Sequence, residues 1–398
     1  MRLVVLDYVG HPFQAQLARA LAHRGHDVLH LHCASFVTGK GRVARAPGDP
    51  ASLEFAAVDL GGEFARYDVV RRLGHELRAG RELVGQLERF RPDVVISSNT
   101  PLVVQARVVR WCARRRAGFV FWQQDVISAA ARRVLGRRLP ILGAAAEAMI
   151  APLERSLLRR SDAVVVISED FVPLLRRWGV PESRVTVIEN WAPLDELPVL
   201  PRENAWAREQ ELADRTVFLY SGTLGFKHDP SLLLELARWA AGRGALVVVV
   251  SEGQGADWLA EQGAAEPALR LLPYQPYERL PEVLASADVL LALLDPAAAG
   301  FSVPSKVLTY LCAGRPLLVS VGPDNLAARV VDRSGGGVVV PAADGAALVA
   351  AAEELLGNDE LRSELGGRAR AYAETTFDAD AIAARFEEVL RLRGAPAA

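Results

Sequence analysis

Two lysine-bearing segments of this sequence have the residue types and spacing to hold a phosphate. The first, Tyr220-Ser221-Gly222-Thr223-Leu224-Gly225-Phe226-Lys227-His228, follows an apolar run and precedes a helical pattern. Gly222 and Gly225 allow a ligand close to the backbone, and Thr223 and Lys227 can donate to an anion. The second runs from Phe301 through Ser302, Val303 and Pro304 to Ser305-Lys306, then enters an expected helix that ends near Gly314-Arg315-Pro316. The unpaired N–H groups of a first helical turn carry roughly half a positive charge, and Ser305 and Lys306 add a hydroxyl and a full cation beside them. A phosphate is the natural guest of such donors. Neither segment is a Walker loop, and Glu252-Gly253-Gln254-Gly255 has Trp258 where a dinucleotide fingerprint needs its third glycine.

Gly10-His11-Pro12 and Trp122-Gln123-Gln124-Asp125 set further polar groups after apolar runs in the first half. No Ser-His-Asp order, HExxH motif or metal-ligand cluster presents itself. The expected chemistry therefore runs without a metal or a protein nucleophile, or with its parts scattered along the chain.

The elements that must position these groups alternate between strand and helix patterns, the signature of parallel sheets covered by helices. Expected strands in the first half are Leu3–Leu6, Val28–Leu31, Val94–Ser97, Phe119–Trp122, Ala163–Ile167 and Val185–Ile188. Those in the second are Val217–Ser221, Leu246–Ser251, Ala268–Leu272, Val289–Leu293, Leu317–Ser320 and Gly337–Val340. Between the halves, Pro193, Pro198 and Pro201 interrupt the pattern and read as a linker. Two doubly wound α/β domains follow, with ligands expected outside the carboxyl ends of their strands, in a cleft between facing domains.

At 398 residues the length suits two domains of about 150–200 residues each. The composition, 51% apolar and 24% charged, excludes a disordered or fibrous chain. Cys33, Cys112 and Cys312 are widely spaced, so neither a disulfide framework nor a zinc site is expected, and a reducing cytoplasm fits. The apolar run Leu139–Leu153 holds Glu147 and two prolines and is shorter than the roughly 20 residues of a spanning helix. Charge is uneven: residues 1–193 hold 28 Arg/Lys against 19 Asp/Glu, leaving 18 against 29 beyond. An arginine-rich first half suits peripheral contact with anionic lipid or an anionic acceptor; no nucleic-acid partner is expected.

The ordered loops resemble the retaining glycosyltransferases of family 4, which have the GT-B fold, two Rossmann-like domains facing across a cleft. The resemblance rests on Leu-Ala-x-x-Leu-x-x-Arg-Gly-His at Leu17–His26, Ser161-Asp162-Ala163, Glu189-Asn190, the Ser221–Lys227 loop, Ser286-Ala287-Asp288 and Val303-Pro304-Ser305-Lys306. The Pro-Ser-Lys version is similar to transferases that build amino-sugar-containing surface or secondary-metabolite glycans. It implies an acceptor-binding domain at 1–195, a linker at 196–214, a nucleotide-sugar-binding domain at 215–378, and a helix at 379–398 that crosses back.

By the same resemblance Gly222, Thr223, Lys227, Ser305 and Lys306 would bind the donor diphosphate and Phe301, Ser302 and Val303 the sugar. Gly253, Tyr274, Gln275 and Thr309 would hold base and ribose, and Gly10 and His11 would line the first domain. Lys227, Lys306, Gln124 and Asp125 would serve catalysis. Departures are visible: the family's paired carboxylates fall near Phe301 and on Thr309, and its first-domain His is Gln124. The implied reaction moves a sugar from a nucleotide diphosphate sugar, UDP favoured, to a small or lipid-linked acceptor with retention and no metal. A GT-B epimerase or phosphorylase, and a non-catalytic nucleotide-sugar-binding subunit, remain open alternatives.

Overall fold

The computed structural model describes residues 1–35, 43–61, 69–136, 139–225, 228–295 and 305–392. Contacts divide the chain into two units, Met1–Asn190 with Ala379–Ala398, and Trp191–Asp378.

In the first unit the apolar runs become β1 (Arg2–Asp7), β2 (Asp27–Cys33), β3 (Leu53–Val58), β4 (Val94–Ser98), β5 (Gly118–Gln123), β6 (Ala163–Val166) and β7 (Val185–Val187). All pair in parallel, in the order β3-β2-β1-β4-β5-β6-β7. Strands covered on both faces need side chains that tolerate burial on both, hence the fully buried Leu3-Val4-Val5-Leu6 and Val94-Val95-Ile96. Edge strand β3 was not expected from sequence. Its Leu-Glu-Phe-Ala-Ala-Val buries Leu53 and Val58 and leaves Glu54 exposed, so no unbroken apolar run announces it.

The covering helices are α1 (Pro12–His23), α2 (Val69–Phe90), α3 (Leu102–Arg115), α4 (Ile127–Gly136), α5 (Pro140–Arg160) and the short α6 (Val172–Arg177). The run read against a membrane span is α5, with Pro152 inside it. Among the described residues no helix is long and apolar enough to cross a membrane.

The second unit contains the short α7 (Ala205–Glu209), β8 (Thr216–Ser221), α8 (Ser231–Ala240), β9 (Ala245–Val250), α9 (Gln254–Gln262), β10 (Leu269–Leu272) and α10 (Leu280–Ala285). It continues with β11 (Val289–Leu293), α11 (Lys306–Cys312), β12 (Leu317–Ser320), α12 (Leu326–Ser334), β13 (Gly337–Val340), α13 (Gly345–Leu356) and α14 (Asp359–Thr376). Its parallel strands run β10-β9-β8-β11-β12-β13. The core joins Phe218, Tyr220, Val247, Val249, Leu291 and Leu293 to Leu233, Leu236 and Leu259 on the helices.

The stretch that composition reads as a linker is knitted into this unit. Trp206 is fully buried and donates from Nε1 to Gln275, Asn204 donates to Ser286 Oγ at 2.9 Å, and Arg202 pairs with Asp288. The final helix, α15 (Ala379–Leu392), belongs with the first unit. Phe386 meets Trp122 with ring centroids 4.8 Å apart, and Glu387 accepts from Arg24 at 3.1 Å and bonds His26 at 3.0 Å.

The resemblance motifs are explained by this scaffold. Asp162 ahead of β6 accepts from Phe119 N on β5, and Asp288 ahead of β11 accepts from Val217 N on β8, each at 2.8 Å. Each carboxylate satisfies a backbone donor that the start of a parallel ladder leaves unpaired. Arg24 and His26 of the Leu17–His26 motif anchor α15, across Gly25 at φ +89°.

Candidate functional site

Each sheet has one switch point, between β1 and β4 in the first unit and between β8 and β11 in the second, where chain connections diverge and leave a crevice at the carboxyl ends. The second unit's crevice gathers the anion donors. Lys306 opens α11, and its ammonium lies 3.5 Å from the centroid of the fully buried Tyr220 ring. Lys306 Nζ is shut off from solvent and has no hydrogen-bond partner among the described residues, and burial pushes its pKa well below a lysine's usual value.

Beside it, Gly222 has φ +131°, and a Cβ there would sit 3.2 Å from Lys306 Nζ. The backbone angle demands glycine, and a Cβ would also press on the end of the Lys306 side chain. Tyr310, one turn after Lys306 on the same helical face, accepts from Ser221 N and donates to Ser221 O, both at 2.9 Å. Ser251 Oγ donates to Gly222 O at 2.7 Å and accepts from Leu224 N.

The next loop locks onto this one. Gly255 N donates to Leu224 O at 2.9 Å, and Cβ atoms on Gly253 and Gly255 would lie 3.1 and 3.0 Å from that carbonyl oxygen. The pair of glycines read against a dinucleotide fingerprint thus serves close packing of two strand-end loops. Thr223 Oγ1 hydrogen-bonds the Tyr274 hydroxyl, and Tyr274 is exposed. Gln275 is half-buried with its carbonyl engaged by Trp206 and its amide by Pro273 O. Ser305 is exposed and Thr309 half-buried. Lys227, Phe301, Ser302 and Val303 lie outside the described residues.

In the first unit, Gly10 has φ +88° and leads His11 back over the end of β1. Asp7 is fully buried and accepts from Val9 N at 3.2 Å, His11 N and the His11 ring at 3.2 Å. Burial opposes ionisation of Asp7, but the charge and hydrogen bonds of His11 outweigh it and hold the carboxyl below its usual range. His11 is raised in turn: burial opposes its charge, and Asp7, then Asp125, override that. Asn99, after β4, reaches His11 Nδ1 at 3.3 Å, so residues from both sides of the switch point meet there. Gln124 is held by reciprocal amide bonds with Asn190 at 3.2 and 2.5 Å, while Asp125 is exposed.

Sequence reasoning missed Tyr310, Tyr220, Ser251, Asp7 and Asn99. The i, i+4 spacings of Lys306 to Tyr310 and Asp7 to His11 were the available signals; Ser251 and Asn99 act through sheet pairing and carry none.

Residues 11–191 match the family of glycosyl transferase 4-like domains, and residues 202–372 match glycosyl transferases group 1. Both domains are glycosyltransferase domains, and the fold is GT-B. This GT-B chain is 26% identical over 223 residues to the probable glycosyltransferase WbjE of Pseudomonas aeruginosa, covering 54% of each chain. The match thus spans about half the length of that relative. Sucrose-phosphate synthase of Thermosynechococcus elongatus shares the fold with a TM-score of 0.71 at 16% identity, covering 98% of both chains. HepE of Anabaena, in a complex with UDP-glucose, aligns with a TM-score of 0.69 at 14% identity over 98% of this chain and 99% of its own.

Proposed function

We propose that this chain is an active glycosyltransferase that moves a hexose or N-acetylhexosamine from a nucleotide diphosphate sugar, UDP favoured, to a hydroxyl of a small or lipid-linked acceptor. The observation that carries the proposal is the buried amine of Lys306, without a hydrogen-bond partner among the described residues, beside the Gly222 turn at the second sheet's switch point. Charging a buried amine that lacks a hydrogen-bond partner is costly, and an arriving diphosphate supplies the partner that favours the charged form. UDP-glucose bound to the similarly folded HepE supports the choice of base.

In this reading the C1–O bond to the diphosphate breaks, the acceptor oxygen bonds C1 on the same face, and the acceptor proton passes to a leaving phosphate oxygen. Configuration is retained. Lys306, Lys227, Ser305 and the Gly222–Thr223 backbone stabilise charge growing on the diphosphate, and the lysines fill the role a metal has elsewhere. Phe301, Ser302 and Val303 contact the sugar, Gly253 and Tyr274 flank the base, and Thr309 reaches the ribose. Gln275 contributes through the loop it braces. Gly10, His11, Gln124 and Asp125 act on the acceptor side.

The test is a thermal-shift panel of UDP-, GDP-, dTDP- and ADP-sugars with EDTA present, followed by NMR of the transferred sugar. Selective stabilisation by UDP-sugars and a product with the donor's anomeric configuration are expected. Inversion would overturn the mechanism, and loss of binding in EDTA the metal independence. Epimer formation from the donor alone would replace the transferase reading with that of an epimerase.

A further inference from the structure

We infer that the α4–α5 hairpin is a docking surface for a bilayer containing anionic phospholipid, with lipid phosphates held in an arginine-lined groove along α5. This goes beyond the nucleotide-sugar reading and does not depend on it. Among the described residues, nine large apolar side chains are exposed, and five of them fall here: Leu135, Leu139, Ile141, Leu142 and Met149. Ile141 and Met149 are 84% and 77% exposed.

The two helices pack closely. A methyl on Gly143 would overlap the Arg132 carbonyl, Glu147 pairs with Arg132 at 2.8 Å, and buried Glu154 accepts from Ile127 N and Ser128 N at 2.8 and 2.9 Å. Gly143, Ala146, Glu154, Leu157 and Leu158 face inward along α5. The opposite stripe, at i, i+4, i+7 and onward, carries Ile141, Ala145, Ala148, Pro152, Arg155 and Arg159, apolar for three turns and then cationic.

The groove beside the cationic end has a volume of about 640 Å³ and is lined by Ala148, Pro152, Arg155, Arg159, Arg160 and Trp178. Arg155 Nε donates to Trp178 O at 3.0 Å, which fixes its stem. Arg159 and Arg160 make no ion pair among the described residues, and the two carboxylates of α5 are already engaged by Arg132 and by α4. An exposed apolar stripe that gives way along the helix to unpaired arginines matches, in order, the acyl boundary and the phosphate layer of a bilayer entered obliquely by the first turns of α5. A water-soluble anion would use the arginines and leave the apolar half unexplained.

Co-sedimentation of the full chain with phosphatidylcholine vesicles, with and without phosphatidylglycerol, tests this. Binding is expected only with phosphatidylglycerol and should weaken as salt rises. Arg159→Glu/Arg160→Glu should reduce it roughly tenfold or more, and Ile141→Ser/Met149→Ser should reduce it while leaving the salt dependence in place. Circular dichroism and unchanged stabilisation by UDP-sugars show that the variants remain folded, and they separate failure of this surface from failure of the donor site. Equal binding to both vesicles, undiminished binding by either double variant, full displacement by inorganic phosphate, or dimerisation through the hairpin without vesicle binding would overturn the inference.

Discussion

Lys306 Nζ stands 3.5 Å from the centre of the Tyr220 ring and 3.2 Å from where a side chain at Gly222 would begin. The ring face favours the charged ammonium and burial disfavours it, with burial dominant in the ligand-free protein. A diphosphate bound at the Gly222 turn, as proposed, would reverse that balance.

UDP binding should therefore be coupled to protonation of Lys306. Above the lowered pKa of the free protein, binding takes up a proton and affinity falls as pH rises. Calorimetry in buffers of different ionisation enthalpy measures the uptake. Lys306→Met should abolish it, weaken UDP by about 1.5–3 kcal/mol and slow transfer by about 2.7–4 kcal/mol of barrier. The sign for stability is opposite. A lysine whose folded pKa is depressed leaves the unfolded chain holding more protons between the folded and unfolded pKa values, so it weakens the fold there and the variant should melt higher at neutral pH. Equal proton uptake in both proteins would sink the assignment.

Tyr310→Phe probes the brace rather than the cation. The hydroxyl bonds both backbone groups of Ser221, so its removal leaves a buried N–H and C=O unpaired at the head of the loop. A loss of about 1–3 kcal/mol in denaturant unfolding is expected, with a raised KM for the donor. An unchanged KM would mean that the loop holds its shape by the Ser251 bonds alone.

Much of this arrangement is legible in the sequence because buried parallel strands write themselves as continuous apolar runs. Val247–Val250 and Leu290–Leu293 can hardly be anything else, and strand order then places the crevices. What stays hidden is what depends on pairing. Ser251 and Gly222 meet because β8 and β9 are neighbours, and no spacing encodes that. Glycine spacing alone does not show its purpose either: Gly253 and Gly255 complete no dinucleotide fingerprint, and both approach the Leu224 carbonyl. Arg24 and His26, part of the resemblance, anchor α15 through Glu387.

The Asp7–His11 pair predicts a histidine that holds its proton unusually long. The His11 contribution to stability is fully present below its unfolded pKa, about 6.5, and is lost as pH rises through the raised folded value. The Asp7 contribution is present above about 3.9 and is lost as pH falls through its lowered folded value. The pair is thus strongest between those limits. NMR should show His11 titrating above the ordinary histidine range, and Asp7→Asn should bring it down. No change on substitution would separate the two residues.

His30 should behave in the reverse sense and set the acid sensitivity of the first unit. It lies on β2, fully buried, with neither ring nitrogen hydrogen-bonded among the described residues, its ring 5.4 Å from that of Phe55. Burial, only partly opposed by the nearby Asp7 carboxylate, pushes it down to about 4. As pH falls below about 6.5 the unfolded chain protonates this residue first, so stability drops until the folded imidazole also titrates, a loss on the order of 3 kcal/mol. His30→Phe removes the titrating group and fills a similar space. Absolute stability can shift either way with packing, so the reading is the slope of unfolding free energy against pH between 6.5 and 4. The wild type should be steeper than the variant across that window and parallel to it above pH 7, since neither then carries a charge at this position. Parallel curves throughout would mean that the imidazole finds a proton-stabilising partner inside the fold.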